Sequence, residues 1–370
     1  MPKMRRILKK TCLYQPFKNT RNFFIGRQEI KNLKFLEKEG RVLSPRHVTF
    51  EPTTKCNLDC RMCYQKQERA LGKEDLSLEK IKEIFKRLQA EQKINKVSLI
   101  GAEVFMRPDI FEIIDYLGDL GIKVYLQTNG TLINKQNINQ LRHCKNITGL
   151  GFSLDGPKEL HNQIRGQAYA FDKLMEALAL TKNDFSLTVN SVIMEENIDR
   201  LAEVARLLKE EGISDYSLQF EMIATPKDAE HARAMLDLGE SDLAIDCQEN
   251  DAYSFKLSKL TEILEELKKI KGLNVLIQPT IFYRHPKLYF NGLLRQGVKL
   301  RCKDMLAPRI NAQGEIIFCP FIKKTFGSLL EQDFEEIWNG REMREFRLKL
   351  LQNNLTPVCK RCCRLGERQE

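Results

Sequence analysis

Three cysteines stand close together in the segment TKCNLDCRMCYQ (54–65), and their spacing points directly to chemistry. Cys56, Cys60 and Cys63 form a C-x3-C-x2-C pattern. Structural zinc sites close with four ligands, commonly in paired C-x2-C units, so this pattern is a poor match for zinc. Thiolates also hold iron–sulfur clusters. Three thiolates on a four-iron cluster leave one iron without a protein ligand, which predicts a site that binds a substrate or cofactor.

The remaining cysteines divide into an isolated set and a clustered set. The sequence has 11 cysteines among 370 residues. In a reducing compartment, clustered cysteines are more often metal ligands than disulfide partners. Isolated cysteines are most often small buried hydrophobes. That interpretation applies here to Cys12, Cys144 and Cys247.

Composition indicates a soluble globular chain with one large domain and a smaller one. Hydrophobic residues make up 42% and charged residues 30%, which is ordinary for such proteins. No apolar run approaches the roughly 20 residues of a membrane span. The basic start MPKMRRILKKTCLYQPF lacks the apolar region of a secretory signal. We therefore expect a cytoplasmic protein.

The chain is basic, with a formal net charge of +10. This balance favours an anionic substrate, nucleic acid or an anionic membrane surface, while a solvated basic arm is the alternative. No nucleic-acid-binding motif accompanies the charge. Much of the excess lies early, at Lys3, Arg5, Arg6, Lys9, Lys10, Lys18, Arg21, Arg27, Lys31 and Lys34.

A β-rich run followed by a helical run recurs six times and predicts an α/β fold with a parallel sheet. The pattern fits a doubly wound sheet or an incomplete barrel, and in either the active face lies at the C-terminal ends of the strands. A helix is predicted over 77–92, behind Ser77 as N-cap. The predicted strands are 47–53, 96–100, 123–128, 147–153, 185–193 and 216–222.

The pattern changes after residue 222. A helix is predicted over 252–270, and LNVLIQPTIFY (273–283) reads as extended. Cysteines return at Cys302, which predicts a second and smaller unit. We therefore divide the chain into a basic N-terminal segment, a core, a connecting region and a C-terminal domain, at 1–46, 47–240, 241–300 and 301–370.

The cysteine segment resembles the defining motif of the radical S-adenosylmethionine (radical SAM) superfamily, which follows the first strand. The resemblance implies a six-stranded partial (β/α)6 TIM-like barrel that binds a [4Fe–4S] cluster and SAM. It also implies that the reduced cluster cleaves SAM to a 5′-deoxyadenosyl radical, which abstracts a substrate hydrogen. A reductant such as flavodoxin or ferredoxin would then be a partner. Met62 stands where the family usually has an aromatic residue.

Three further segments resemble family motifs in the expected order. IGAEVF (100–105) resembles the GGEP segment that binds the SAM amino group, although GAEV replaces GGEP. QTNGTLI (127–133) resembles the third-strand motif. GFSLDGPKELHNQIRG (151–166) resembles a fourth-strand segment that holds the SAM carboxylate and ribose region. The resemblance thus assigns SAM binding to Gly101, Ala102, Glu103, Val104, Ser153 and Arg165.

The second cysteine group resembles the C-terminal auxiliary-cluster domains called SPASM and Twitch. A full SPASM domain has seven cysteines, and this region has five. The resemblance implies one auxiliary [4Fe–4S] cluster that accepts an electron during substrate oxidation, with a zinc site as the alternative. Cys363 would be a neighbour or a substitute ligand. The expected ligands are Cys302, Cys319, Cys359 and Cys362.

Side chains that alternate into a barrel lumen are candidates for substrate contact or proton transfer. Glu51 on the first strand and Gln219 and Glu221 on the sixth are such candidates, and Glu51 and Glu221 are the catalytic candidates. The alternative is that they brace the barrel wall.

The expected substrate is a peptide or small metabolite, with haem or tetrapyrrole maturation as an alternative. Two other classes stay open: an electron carrier or scaffold, and a degenerate fold that binds a partner or nucleic acid.

Overall fold

The computed structural model describes residues 31–245, 247–249 and 253–368, and residues 31–39 are helical. The basic residues before Lys31, like Cys12, lie outside the described residues. The strands are β1 (His47–Phe50), β2 (Lys96–Leu99), β3 (Lys123–Thr128), β4 (Ile147–Ser153), β5 (Leu187–Ile193), β6 (Asp215–Phe220), β7 (Asn274–Gln278), β8 (Leu300–Cys302), β9 (Arg309–Ile310), β10 (Glu315–Ile317), β11 (Thr325–Ser328) and β12 (Leu365–Glu367).

Helices alternate with the first strands and continue into the C-terminal part of the chain. They are α1 (Lys66–Ala70), α2 (Leu78–Gln92), α3 (Ile110–Asp119), α4 (Ile138–His143), α5 (Lys158–Arg165), α6 (Ala170–Thr181), α7 (Leu201–Glu210), α8 (Pro226–Leu236), α9 (Leu257–Lys269), α10 (Pro286–Phe290), α11 (Leu294–Gly297), α12 (Phe334–Trp338) and α13 (Arg341–Gln352).

The main sheet is mixed, and its strand order is β11-β10-β9-β1-β2-β3-β4-β5-β6-β7. All six predicted strands form, and β1 to β7 pair in parallel in chain order. This order excludes a doubly wound sheet, whose order reverses at a switch point. The predicted count of six is wrong because β7 and β9 to β11 extend the sheet to ten strands. The strands β8 and β12 form a separate antiparallel pair.

Helix α2 confirms the prediction for 77–92. The Ser77 side chain accepts a hydrogen bond from the Lys80 backbone N–H at the first turn, which satisfies one of the unpaired donors of a helix N-terminus. Its apolar face is buried against the sheet, as a 3.6-residue period requires. The buried side chains are Ile81, Ile84, Phe85 and Leu88.

Two predictions after residue 222 need correction. The helix expected over 252–270 begins at Leu257, and residues 250–252 lie outside the described residues. The segment 273–283 is extended only along β7, and a 3-10 helix covers Thr280–Tyr283. Pro279 between them has no N–H with which to continue a ladder.

The C-terminal part of the chain joins the main sheet at β1. Strand β9 pairs in parallel with β1. The Thr49 N–H donates to the Pro308 carbonyl, and the Glu51 N–H to the Ile310 carbonyl, each at 2.9 Å. The C-terminal strands therefore continue the sheet beside the strand that leads into the cysteine segment.

The two isolated cysteines of the described residues differ in burial. Cys144 is buried in the core, as predicted, with 3% of its surface exposed. Cys247 is exposed, so the prediction of a buried hydrophobe is wrong there. It lies in the connecting region and forms an isolated bridge with Ala224, outside the strands of the main sheet. Within the described residues, no helix is long and apolar enough to cross a membrane.

Phe50 anchors β1 against α2, and its replacement tests that packing. Its ring is 1% exposed and meets the Phe85 ring edge-on at 5.3 Å between centroids. We expect Phe50→Ala to lower the free energy of unfolding by about 3 kcal/mol or more, because it leaves a cavity. Urea unfolding measures this. Leu71→Ala, at a side chain 60% exposed, should change stability by less than about 0.5 kcal/mol. Equal small losses in both variants would contradict the packing.

Candidate functional site

The cysteine segment follows β1 and is tied to the ends of β2 and β3. The Asn57 side chain donates to Thr131 Oγ1 at 2.8 Å and accepts from Asn129 Nδ2 at 3.0 Å. The Glu103 N–H donates to the Lys55 carbonyl at 3.0 Å. Parallel strands bring their carboxyl ends to one edge, so residues far apart in sequence can fix this loop there.

The C-terminal end of helix α5 also holds this loop. The Asp59 and Arg61 N–H groups donate to the carbonyls of Arg165 and Ile164 at 3.3 and 3.0 Å. Gly166 has φ +73°, and a Cβ there would lie 2.8 Å from the Asp59 carbonyl oxygen. Only glycine allows this approach without strain.

Arg165 connects the loop to a buried carboxylate. Its Nη1 donates to Cys60 Sγ at 3.5 Å, and its Nη2 forms an ion pair with Asp155. Asp155 Oδ1 also accepts the Val192 N–H at 2.9 Å. Burial raises the pKa of the Cys60 thiol, while the Arg165 charge opposes that rise. Arg165 therefore contacts the cysteine segment directly.

The donor chemistry of the three cysteines fits a cluster of iron and sulfide. Burial raises the pKa of Cys56 to about 11, so a positive centre is needed to keep a thiolate there. N–H donors approach two of the sulfurs, from Asn129 Nδ2 to Cys56 and from Arg165 to Cys60. Such donors stabilise cluster-bound sulfur. No group of three or more His, Cys, Asp or Glu in the described ranges is arranged for a single metal ion.

The GAEV segment lies beside the cysteine loop, but its carboxylate is already bound by the chain. Glu103 is fully buried and accepts from Thr128 Oγ1 and the Asn129 N–H, each at 2.7 Å. Gly101 has φ +126° and a Cβ there would lie 3.1 Å from Glu51 Cβ. Val104 is buried and Ala102 half-buried. The Glu103 side chain thus joins β2 to β3, and the backbone of Gly101 and Ala102 lies next to it.

Ser153 belongs to a row of polar side chains that the sequence analysis did not single out. Gln127 Nε2 donates to Ser153 Oγ at 3.3 Å, and Asn190 Nδ2 donates to Gln127 Oε1 at 3.2 Å. Gly151 leaves room for this row, since a Cβ there would lie 2.1 Å from Gln127 Oε1. Polar residues within buried strands β3, β4 and β5 were the signal that could have found it.

The structure brings the C-terminal cysteines together. Cys302 lies on β8, and its cross-strand neighbour Leu365 lies three residues after Cys362 in the chain. Burial raises the pKa of Cys302, and the nearby Cys319 and Cys359 raise it further. Backbone N–H groups donate to two of the sulfurs, from Ile322 to Cys319 at 3.1 Å and from Arg364 to Cys362 at 3.3 Å. Buried neighbouring thiols with N–H donors suit a cluster here too.

A cavity of about 250 Å³ lies between the two cysteine groups. Cys63 of the first group and Cys363 of the second both line it, as do Gln219 and Glu221 at the end of β6. Phe220 and Met222, which a strict alternation with Gln219 and Glu221 would turn away, line the cavity too, and the strand ends at Phe220. Its lining includes Arg61, Met62, Cys63, Tyr64, Gln219, Phe220, Glu221, Met222, Phe321 and Cys363.

Glu51 is not among the residues that line this cavity. Its side chain is 3% exposed and accepts from Arg309 Nη1 at 2.5 Å and from Gln65 Nε2 at 3.0 Å. Both carboxylate oxygens are therefore used within the protein. This geometry favours the bracing role that the sequence left as an alternative.

Comparison with known families matches the two cysteine-bearing parts of the chain. The sequence model of the radical SAM superfamily matches residues 50–208, and that of an iron–sulfur cluster-binding domain, SPASM, matches residues 306–363. The chain belongs to the radical SAM superfamily and carries a C-terminal SPASM domain. It is an enzyme whose cofactors are a [4Fe–4S] cluster, SAM and auxiliary iron–sulfur.

Individual relatives are distant. The AdoMet-dependent heme synthase of Methanosarcina barkeri is 25% identical over 317 residues, which cover 81% of this chain and 84% of that protein. The subtilosin biosynthesis protein AlbA of Bacillus subtilis is 28% identical over 204 residues, 52% of this chain and 45% of that protein. A Streptococcus suis SuiB structure covers 98% of this chain and 81% of its own at 17% identity, with a TM-score of 0.63, which shows a shared fold.

His161 supports the Asp155 segment, and its burial predicts a pH dependence. Its Nδ1 accepts the Asp155 N–H at 3.2 Å, and burial followed by the Arg165 charge lowers its pKa to about 3. The unfolded chain binds this proton near pH 6.5, so stability is lost as pH falls from about 6.5 towards 3. Between pH 7.5 and 5 the loss from this group is about 2 kcal/mol.

We expect His161→Gln, whose amide oxygen can accept the same N–H, to lose less stability over that range than the parent protein. Urea unfolding at both pH values measures the difference. His143→Gln, at an exposed position, is the control and should follow the parent. A pH loss in His161→Gln as large as the parent's would contradict a buried neutral ring.

Proposed function

We propose that this enzyme removes a hydrogen atom from a peptide side chain held in the cavity between the two cysteine groups. The observation that carries this proposal is that one cavity is lined by both Cys63 and Cys363. Arg61, which lines this cavity, has a side chain that is 64% exposed, so a peptide bound outside could present one side chain into it.

Cys56, Cys60 and Cys63 would hold the cluster that binds SAM. When bound, the cluster and SAM supply the one-electron chemistry that takes a hydrogen atom from the substrate. The backbone of Gly101 to Val104 would bind the SAM amino group, with Glu103 fixing that backbone from behind. Ser153 and Arg165 would contact the SAM carboxylate and ribose region, and Arg165 would also orient Cys60.

Cys302, Cys319, Cys359 and Cys362 would hold one auxiliary [4Fe–4S] cluster, the number that four thiolates can complete. Cys363 would then be the thiol that faces the cavity beside that cluster. A completed cluster has no free iron for substrate, so its role would be to accept the electron left after hydrogen abstraction. The overall reaction would be an oxidation of the substrate.

Glu221 would be the group that takes a proton from the substrate, with Gln219 as a neighbouring contact. Both line the cavity at the end of β6, where active residues of parallel α/β folds lie. Glu51 would brace the loop instead. In this proposal residues 47–240 form the core, in which β1 to β6 curve like part of a barrel, and residues 301–370 form the C-terminal domain. A flavodoxin or ferredoxin would be the reductant, and the protein would be cytoplasmic.

A peptide substrate has support among the relatives. AlbA is named for the biosynthesis of a bacteriocin, and one solved SuiB structure holds its precursor peptide SuiA. A tetrapyrrole is the second candidate, because the heme synthase of M. barkeri matches along 81% of this chain. Arg61 lines the cavity, and a carboxylate of either substrate could bind its guanidinium in competition with Glu196, its present ion-pair partner at 2.9 Å.

The first test is anaerobic reconstitution with an iron count and an assay of 5′-deoxyadenosine release. We expect about eight irons per chain, as two [4Fe–4S] clusters require, and product release that depends on SAM and a low-potential reductant. Cys56→Ala should retain about four irons and release no product. A precursor peptide should increase release above the level without substrate.

Different results would overturn different parts of the proposal. About four irons with active SAM cleavage would remove the auxiliary cluster. Increased release with an iron porphyrin but with no peptide would replace the peptide by a tetrapyrrole. Full clusters without SAM cleavage would contradict the assigned chemistry. The altered GAEV segment would then be the first place to look for a loss of SAM binding.

Glu221→Gln tests the proposed proton acceptor. The amide keeps the size of the side chain but cannot take a proton at neutral pH, so substrate oxidation should fall by about 10²-fold or more with iron content unchanged. Glu210→Gln, at an exposed position at the end of α7, is the matched control and should retain the parent rate. A parent-like rate in Glu221→Gln would exclude that role.

A further inference from the structure

A buried chain of polar side chains crosses from the C-terminal domain to the cysteine loop. Arg309 donates to Glu51, Gln65 Nε2 donates to the other oxygen of Glu51 at 3.0 Å, and Lys323 Nζ donates to Gln65 Oε1 at 3.1 Å. Lys323 also forms an ion pair with Glu68 on α1. Both outer cations come from the C-terminal domain, and the two groups between them, Glu51 and Gln65, precede and follow the three cysteines in the chain.

The charges in this chain are paired and mostly out of water. The side chains of Arg309 and Lys323 are each 6% exposed, and that of Glu68 is 18% exposed. Removing one member of a buried pair leaves an uncompensated charge, which is strongly unfavourable. The contact between the two parts of the protein is therefore specific in its geometry.

Gln65 is the member that connects this chain to the cofactor site. It lies two residues after Cys63 and immediately before α1, with 2% of its surface exposed. Its amide is fixed in one orientation, because Nε2 faces a carboxylate and Oε1 faces an ammonium group. A fixed Gln65 restricts the backbone that carries Cys63.

The same lysine reaches the cavity wall. Lys323 Nζ lies 5.8 Å from the centre of the Tyr64 ring, in a cation–π arrangement. The Tyr64 ring meets the Phe321 ring edge-on at 5.7 Å, and both rings line the cavity. Lys323 therefore contacts both residues that follow Cys63.

We propose that Lys323 is a positioning residue of the radical SAM site. Through Gln65 and Tyr64 it holds the backbone at Cys63, so that the C-terminal domain sets the geometry at which SAM binds. This inference rests on the proposed role of Cys56, Cys60 and Cys63. It needs no knowledge of the substrate, so its failure is distinguishable from failure of the peptide proposal.

The adjacent lysine gives a matched control. Lys324 forms an ion pair with Glu342, a side chain 63% exposed, and both replacements by methionine remove one positive charge. We expect amide hydrogen exchange in residues 60–70 of the reconstituted enzyme to become about tenfold faster in Lys323→Met, because a local contact is lost. Lys324→Met should match the parent, and residues 147–153 on β4 should be unchanged in both.

A spectroscopic measurement separates positioning from simple support. SAM changes the electron paramagnetic resonance spectrum of a reduced cluster to which it binds. The SAM concentration that gives a half-maximal change therefore measures the affinity of the cluster site for SAM. We expect this concentration to rise about tenfold in Lys323→Met and to recover in Lys323→Arg, which keeps a buried cation. Gln65→Met, which cannot form either hydrogen bond, should show the same rise in SAM concentration as Lys323→Met. If Lys323→Met does not fold, Gln65→Met alone tests the proposal.

Three results would each overturn the proposal. One is parent-like exchange at 60–70 in both Lys323→Met and Gln65→Met. Another is faster exchange that includes β4, which would show a general loss of stability. The third is an unchanged SAM concentration for the spectral shift despite faster local exchange, which would make Lys323 a structural contact only.

Discussion

The pairing of β9 with β1 is the constraint on which the rest of the site depends. It places Arg309 beside Thr49, and the ladder continues to the Glu51 N–H, just before the cysteine loop begins. A strand pair fixes side-chain register to within one residue, since a slip would turn every side chain to the other face. The C-terminal cysteines are thereby held at a set distance from the loop, and the cavity between the two groups follows from that.

Buried charges give this arrangement its precision. Arg165, which contacts Cys60, pairs with Asp155, and Arg309 pairs with Glu51 just before the loop begins. Each pair has lost most of its hydration, so it is tolerable only in a geometry that satisfies both partners. A loop held in this way is restricted to a narrow range of geometries, which is what a site for reactive chemistry requires.

Local features were predictable from the sequence, and long-range contacts were not. The cap at Ser77 and the apolar spacing of α2 are contained within one segment, and the spacing of Cys56, Cys60 and Cys63 points to a cluster without further context. Glu51 looked like a lumen residue because nothing nearby indicates Arg309, which lies 258 residues away in the chain. The same separation hid Lys323. The segment 273–283 was predicted only as extended, because nothing within it indicates that β7 pairs with β6.

Under the proposed function, the few side chains on the cavity wall would determine which substrate is bound. The fold is shared with relatives that differ in their named products, so the shared strands and cysteines cannot set specificity. Met62 replaces the usual aromatic residue of the motif, packs beside Leu58 and Cys60, and also lines the cavity with Met222. Methionine is flexible and polarizable, so these two residues form a wall that can adapt to a substrate, while Tyr64, fixed by Lys323, forms one that cannot. Under the proposed function, the substrate would therefore meet one rigid side chain, Tyr64, and two adaptable ones, Met62 and Met222.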